Sequence, residues 1–231
     1  MKWLRDRRSS SGGKQNRRSF SVRSAGTFDI LCRSGILRSY WRNAGWRWVQ
    51  RYSPELGQRL RRHLKPTNKS WRVDETYVRV KGRWCYLYRA LDSTGATIDF
   101  LLSALLDTEA AKRLFRSALS DQSHPQPRVI NTDLAPIYGS AIADIKKEGT
   151  LRSRCRHRPV QYLNNIIEQD HRAIKRRVNA KQGFREFQAA LRTIRGYEAI
   201  HIIRKGQVRW LSGGDVRRQN QFINELFEVA A

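Results

Sequence analysis

Between Trp71 and Ala104 three consecutive stretches share one character, and they restrict the chain to a small set of folds. Trp71 to Val80 alternates and is rich in Val, Thr, Trp and Tyr, residues that suit a pleated, half-buried surface. Arg83 to Leu91 alternates as well, with Trp84, Tyr86 and Tyr88 on one face, and Ala96 to Ala104 is a third such run. Lys81-Gly82 and Asp92-Ser93-Thr94-Gly95 separate them as tight turns, so the segment predicts an antiparallel meander of three strands. The aromatic face of the second strand is expected to pack into a core. Asp74 stands in the middle of the first strand, where Asp is depleted, so strand formation does not explain its presence.

Downstream the period changes. Asp107 to Leu119 reads as a helix, capped by Asp107 or Thr108, with Ala111, Leu114, Phe115, Ala118 and Leu119 as its apolar face. Arg128 to Asp133 is a short buried strand that ends on an acid. Pro136 to Lys147 is a helix closed by Gly149. A short strand near 156–161 follows, then a helix capped by Asn164 or Asn165 and running to about Val178. Another helix spans about Glu186 to Arg204, with Phe187, Leu191, Ile194, Ile202 and Ile203 as core candidates. Three strands, helix, strand, helix, strand, helix make an α/β layer with one mixed sheet, the element order of ribonuclease-H-like folds.

The first 70 residues differ in kind. They carry 18 basic and 3 acidic side chains, and residues 1–45, rich in Ser, Arg and Gly, show no sustained hydrophobic period. Too little apolar surface is available there to offset chain entropy, so 1–45 is expected to be basic and disordered. From Ala44 to Leu64, Trp48, Tyr52, Leu56 and Leu60 recur every four residues, and Pro54 predicts two short helices rather than one. Lys65 to Lys69 reads as a linker. The whole chain carries a formal charge of +26, which points to a nucleic-acid partner, because each phosphate neutralised releases counterions. No long apolar segment suggests a membrane. Cys32, Cys85 and Cys155 are odd in number and far apart, which fits a reducing cytoplasm and not a disulfide framework. Cys155 and His157 alone are half a zinc site, with no other two ligands in view.

In this basic chain three acids stand out: Asp74, Asp133 and Glu168, the last two 35 positions apart. Phosphoryl transfer on DNA uses two Mg²⁺ or Mn²⁺ ions, and such ions take a few carboxylates together with water and phosphate oxygens. One carboxylate mid-strand, one at the end of a neighbouring strand and one in the first turns of a helix can converge on such a pair. Taken singly, Asp133 also suits a turn and Glu168 a helix N-terminus. Glu75 points to the opposite face of a regular strand, and Asp170 lies about 200° around the helix from Glu168, so both are second choices. Lys175, seven positions after Glu168, shares its face and with Arg172 and Arg176 forms a basic stripe, either a phosphate track or a solvated helix face. His171, one turn from Glu168, either orients a carboxylate, touches phosphate or is a surface histidine.

At these residues the chain resembles the DDE transposases of bacterial insertion sequences, most of all the single-protein insertion sequence six group. The similar segments are Ser-Trp-Arg-Val-Asp-Glu-Thr-Tyr-Val-Arg-Val-Lys-Gly-Arg-Trp (70–84), Arg-Val-Ile-Asn-Thr-Asp (128–133), Gln-Tyr-Leu-Asn-Asn-Ile-Ile-Glu-Gln-Asp-His (161–171) and Gly-Tyr-Glu-Ala-Ile-His-Ile-Ile-Arg-Lys-Gly-Gln (196–207). The resemblance implies a ribonuclease-H-like catalytic domain over 70–207, a metal-binding triad on Asp74, Asp133 and Glu168, and the family's Glu-x6-Lys pattern on Glu168 and Lys175. It implies DNA partners, namely terminal inverted repeats and a target, a homo-oligomer acting on them, and a cytoplasmic, nucleoid-associated protein. The family's N-terminal helix-turn-helix is represented only by Arg47 to Leu56, so 46–69 reads as a remnant of a helical DNA-binding region and linker. Residues 1–45 read as a replaced or frame-disrupted N-terminus, and 208–231 as a C-terminal tail. Two other readings stand beside the transposase: a defective DNA-binding remnant, and a basic RNA-binding structural protein in which the three acids have no role and Trp84, Tyr86 and Tyr88 stack on bases.

Overall fold

A computed structural model describes residues 38–121, 124–160, 165–179 and 183–227. In chain order the elements are α1 (Arg38–Arg61), β1 (Ser70–Val80), β2 (Arg83–Asp92), β3 (Thr97–Ser103), α2 (Thr108–Ser120), β4 (Val129–Thr132), α3 (Pro136–Lys147), β5 (Arg156–Pro159), α4 (Asn165–Asn179), α5 (Phe187–Arg204) and α6 (Val216–Leu226).

The meander forms as the alternation predicts. Lys81 and Gly82, both in the left-handed region at φ 51° and 75°, make a two-residue turn whose twist matches the right-handed twist of the flanking strands, and the register then runs from Val80 opposite Arg83 to Trp71 opposite Asp92. β3 pairs antiparallel with β2, whereas β4 runs parallel to β1 and β5 parallel to β4. The five-stranded order is β3-β2-β1-β4-β5, so the meander's first strand is the centre of the sheet. Five mixed strands in this order, covered by helices, form the ribonuclease-H-like α/β fold.

Each sheet face has its own core. On one face, Trp71, Val73, Tyr88 and Ile130 pack against Leu114 and Phe115 of α2 and Tyr138, Ile142 and Ile145 of α3. The Asp107 side chain caps α2 by accepting from Ala110 N at 2.7 Å. On the other face, Val78, Val80, Cys85 and Leu87 meet Ile174 of α4 and Ala190 and Ile194 of α5. Fully burying such a side chain contributes about 1.5–3 kcal/mol.

The ends of the chain depart from expectation. α1 is one continuous helix with Pro54 inside it, not two. Packing against α5 accompanies its continuity: Gln50 donates to the Ala189 carbonyl (3.2 Å) and to Thr193 Oγ1 (2.9 Å), and Ser53 sits so close to Gly196 that a Cβ there would lie 2.3 Å from the hydroxyl. Residues 38–45, expected to be disordered, are its first two turns, while 1–37 and Cys32 with them lie outside the described residues. The segment read as a tail contains α6, capped by Asp215, and its Leu226 joins Leu56, Leu60, Leu64, Ala199, Ile203 and Val208 in a third core. Cys85 and Cys155 are buried free thiols. Among the described residues no helix is long and apolar enough to cross a membrane.

Candidate active site

β4 pairs with β1 only over Ser70–Arg72, fixed by Asn131 Nδ2 donating to the Trp71 carbonyl at 2.9 Å. β4 then stops at Thr132, so the chain leaves the sheet at Asp133 alongside the middle of β1. There the Asp133 carboxylate accepts from Ala135 N (3.1 Å), which turns the chain into Pro136 and α3. On β1, Asp74 Oδ1 accepts from Glu75 N (2.9 Å), and Glu75 accepts from the Tyr138 hydroxyl of α3 (2.5 Å).

Carboxylate oxygens of Asp74, Glu75 and Asp133 all lie within 4.8 Å of one another. Crowding three acids in a half-buried pocket is electrostatically unfavourable while they are all ionised. Burial, then Glu75, Asp133 and Glu168, push the Asp74 carboxyl up to about 7. Burial also raises Glu75, with Asp133 adding to it and the Tyr138 hydrogen bond opposing it. Burial and the same acids hold Tyr138 well above its ordinary value, so it remains a protonated donor.

Of the acids singled out in the sequence, Asp74 and Asp133 therefore come together. Glu168 is exposed on the first turn of α4, near enough for its charge to raise Asp74 but outside the group of three. Glu75, set aside because strand alternation turns it away, is a member of the group. The alternation is real: Glu75 shares the face of Trp71 and Val73, and Asp74 the other. But Asp133 has left the sheet by this level, so carboxylates from both faces of β1 reach it around the open edge of the strand. Arg172 and Lys175 are exposed on α4, and the side chain of Arg176 lies outside the described residues. Cys155 and His157 gather no metal-capable partners among the described residues; His157 Nε2 lies 2.9 Å from Thr132 Oγ1.

A second constellation was not anticipated. Arg89, the cross-strand neighbour of Asp74, is fully buried under α4 and α5. It forms ion pairs with Asp170 (2.5 Å) and Glu198 (2.8 Å), and Asp170 also meets His201 and Lys205, each at 2.7 Å. Burial would raise the Asp170 carboxyl, but the His201 hydrogen bond, Arg89 and Lys205 carry it well below the usual carboxylate range. His171 is not a surface histidine: it is buried, and burial with the charges of Arg89 and Lys175 lowers it to about 3. The network fastens the start of α4, two residues beyond Glu168, to the strand next to Asp74. Its one trace in the sequence is a charged residue inside the apolar run from Leu87 to Leu91, the same anomaly that marked Asp74.

Residues 68–207 match the family model DDE_Tnp_IS240, described as a DDE domain. The transposase for insertion sequence-like element IS431mec of Staphylococcus aureus (strain Mu50) is 40% identical over 166 residues, covering 72% of this chain and 71% of the relative. The transposase for insertion sequence element IS257 in transposon Tn4003, also from Staphylococcus aureus, matches to the same extent, 40% over 166 residues and 71% of its length. Among solved structures, the HTLV-2 integrase catalytic core domain in complex with magnesium (trimeric form) is similar at a TM-score of 0.45 and 16% identity, over 63% of this chain and 95% of that one.

Proposed function

We propose, for a chain that belongs to the insertion sequence six group of bacterial DDE transposases, that Asp74, Asp133 and Glu168 are its metal-binding catalytic carboxylates, with Glu75 beside them. The family implies a divalent cation, and the residues present fit one. Hard carboxylate oxygens crowded within 4.8 Å, one of them raised to about 7, form a site that a cation relieves and a proton otherwise must. That cluster is the observation that carries the reading. Asp74, Asp133 and Glu168 would hold two Mg²⁺ or Mn²⁺ ions. When bound, such ions polarise phosphoryl oxygens and lower the pKa of the attacking water.

The chain's own residues position the DNA. Lys175, Arg172 and Arg176 run from Glu168 along α4 and neutralise strand phosphates, which brings the scissile phosphate to the acids. Arg89 and Asp170 hold α4 in place, so Glu168 faces the site without the helix sliding. Water attacks the phosphodiester at the element end, breaking its P–O3′ bond to leave a 3′-hydroxyl on the element and a 5′-phosphate on the flank, and that hydroxyl attacks a phosphodiester of the target, joining to its 5′ side as the target's 3′-hydroxyl departs. The DNA partners are thus the terminal inverted repeats and the target, and a homo-oligomer joins two ends. An RNA-binding structural protein gives no reason for acids to gather in a chain of charge +26.

The test is strand transfer by purified protein on element-end DNA with and without Mg²⁺. Asp133→Asn is expected to lower the rate by at least about 100-fold, the scale seen when one charge-stabilising catalytic group is removed. Unchanged Mg²⁺-dependent transfer rejects the assignment.

A further inference from the structure

The far half of the β1–β2 hairpin carries an aromatic surface that the acids do not use. Tyr77 is 49% exposed and Trp84 59% exposed, although all three aromatics of β2 were expected to be core and only Tyr88 is fully buried. The Tyr77 ring packs edge-on to Trp84 (centroids 6.3 Å apart) and to Tyr86 (5.5 Å). The Arg79 guanidinium lies 5.7 Å from the centre of the Trp84 ring. Tyr77, Trp84 and Tyr86 line a cleft of about 450 Å³, and its fourth wall is Lys175 of α4. Lys175 reaches it because β1 has no strand neighbour on that side between its pairing with β4 at Arg72 and its single bridge to Phe184 at Val80, among the described residues.

We propose that this cleft takes one unpaired nucleobase of the DNA strand held at the acids, stacked on the Trp84 face with the near-perpendicular Tyr77 ring against its edge and its phosphate on Lys175. The inference rests on the strand cleavage proposed above. Position supports it: Tyr77 lies three residues along β1 from Asp74, ~10 Å at about 3.3 Å per residue. Lys175 lies seven residues along α4 from Glu168, also ~10 Å at about 1.5 Å per residue. A DNA strand rises about 3.4 Å per nucleotide, so the cleft falls within about three nucleotides of the scissile phosphate. Chemistry selects the occupant. Ring faces flanked by Lys175 and Arg79 match a flat π-system joined to an anion. A base inside a duplex has both faces covered by its neighbours and offers a ring nothing to stack on, so the occupant must have left the stack.

The experiment uses the full chain without added metal and two otherwise identical oligonucleotide duplexes, one fully paired and one with a three-nucleotide unpaired tract carrying 2-aminopurine. Trp84→Ala is expected to weaken binding of the unpaired-tract DNA about tenfold and to abolish the stacking-induced quench of 2-aminopurine, while binding of the paired duplex is unchanged. Trp84→Phe restores most of both. Both variants alter an exposed ring, and a thermal melt within a degree or two of the parent shows the fold intact; Tyr77→Ala gives the same readout at a second position. Equal loss on both DNAs, or no loss on either, overturns the proposal. So does a fall in native mass without a change in DNA affinity, which would make the patch an interface with a second copy. Because this binding is read without metal or turnover, it stands or falls separately from Asp133→Asn strand transfer.

Discussion

An acid beside other acids changes the pH dependence of the whole fold. In the unfolded chain Asp74 titrates near 3.8, and in the metal-free folded protein near 7. The folded state therefore binds a proton more tightly than the unfolded one. Its contribution to stability is complete below about pH 4, shrinks as pH rises, and is gone above about pH 7. Asp74→Asn removes this dependence. Thermal unfolding in a chelator should show the parent losing melting temperature relative to Asp74→Asn between pH 5 and pH 8. The variant should be the more stable of the two at pH 8, a stability gain made by dismantling a site. Added Mg²⁺ should raise the parent more at pH 8 than at pH 5, because proton and cation compete for the same oxygens. A pH-independent difference between the two proteins would mean that Asp74 is not crowded in solution.

At the scale of elements, the buried ionic network is the joint between the sheet and the helix that carries Glu168. A fully buried ion pair is costly to break from one side, because the abandoned charge stays desolvated. Asp170→Asn leaves Arg89 with Glu198 alone and strips His201 and Lys205 of their shared partner, so urea unfolding should show a loss of about 3 kcal/mol. A cost below about 0.5 kcal/mol would show that the network does not lock α4. Neither this joint nor the site's full membership was legible in the sequence, for identifiable physical reasons. Strand alternation, the Lys81-Gly82 turn and the Asp107 cap are local, and β1, β2 and α2 form where local rules put them. Pro54 breaks a helix by local rules, yet α1 runs through it where Gln50 and Ser53 dock on α5, a partner well over a hundred residues away. Glu75 was set aside by alternation, which does turn it to the other face from Asp74 but does not tell that the strand edge beside them is open. β1 has lost one neighbour at that level. Trp84 was assigned to a core because aromatics on strands usually are, and only the helices' limited reach over the hairpin leaves it in solvent. Asp74 was visible because it is out of place locally, an acid inside a strand; Asp133 suits a turn taken singly and stood out only together with Asp74 and Glu168.

Taken whole, the molecule opposes two fields: a formal charge of +26 that draws DNA in, and a small cluster of carboxylates that repels the phosphate the reaction needs most. The two should separate experimentally. Each lysine or arginine that neutralises a phosphate adds to the slope of log affinity against log salt, so Lys175→Gln should lower that slope by about one on duplexes of any sequence. Asp133→Asn should leave the slope alone and act on its intercept. Without metal, removing one carboxylate beside the scissile phosphate removes a repulsion on the order of 1 kcal/mol, and the variant should bind element-end DNA about fivefold more tightly than the parent. With saturating Mg²⁺ the order should invert, because the parent then holds cations that the variant cannot, and those cations bind phosphate. A salt titration of the parent and both variants, run with chelator and again with Mg²⁺, reads every slope and intercept. If Asp133→Asn binds no more tightly than the parent in chelator, the acids do not face the DNA, and the basic stripe of α4 leads the strand somewhere other than the cluster at the end of β4.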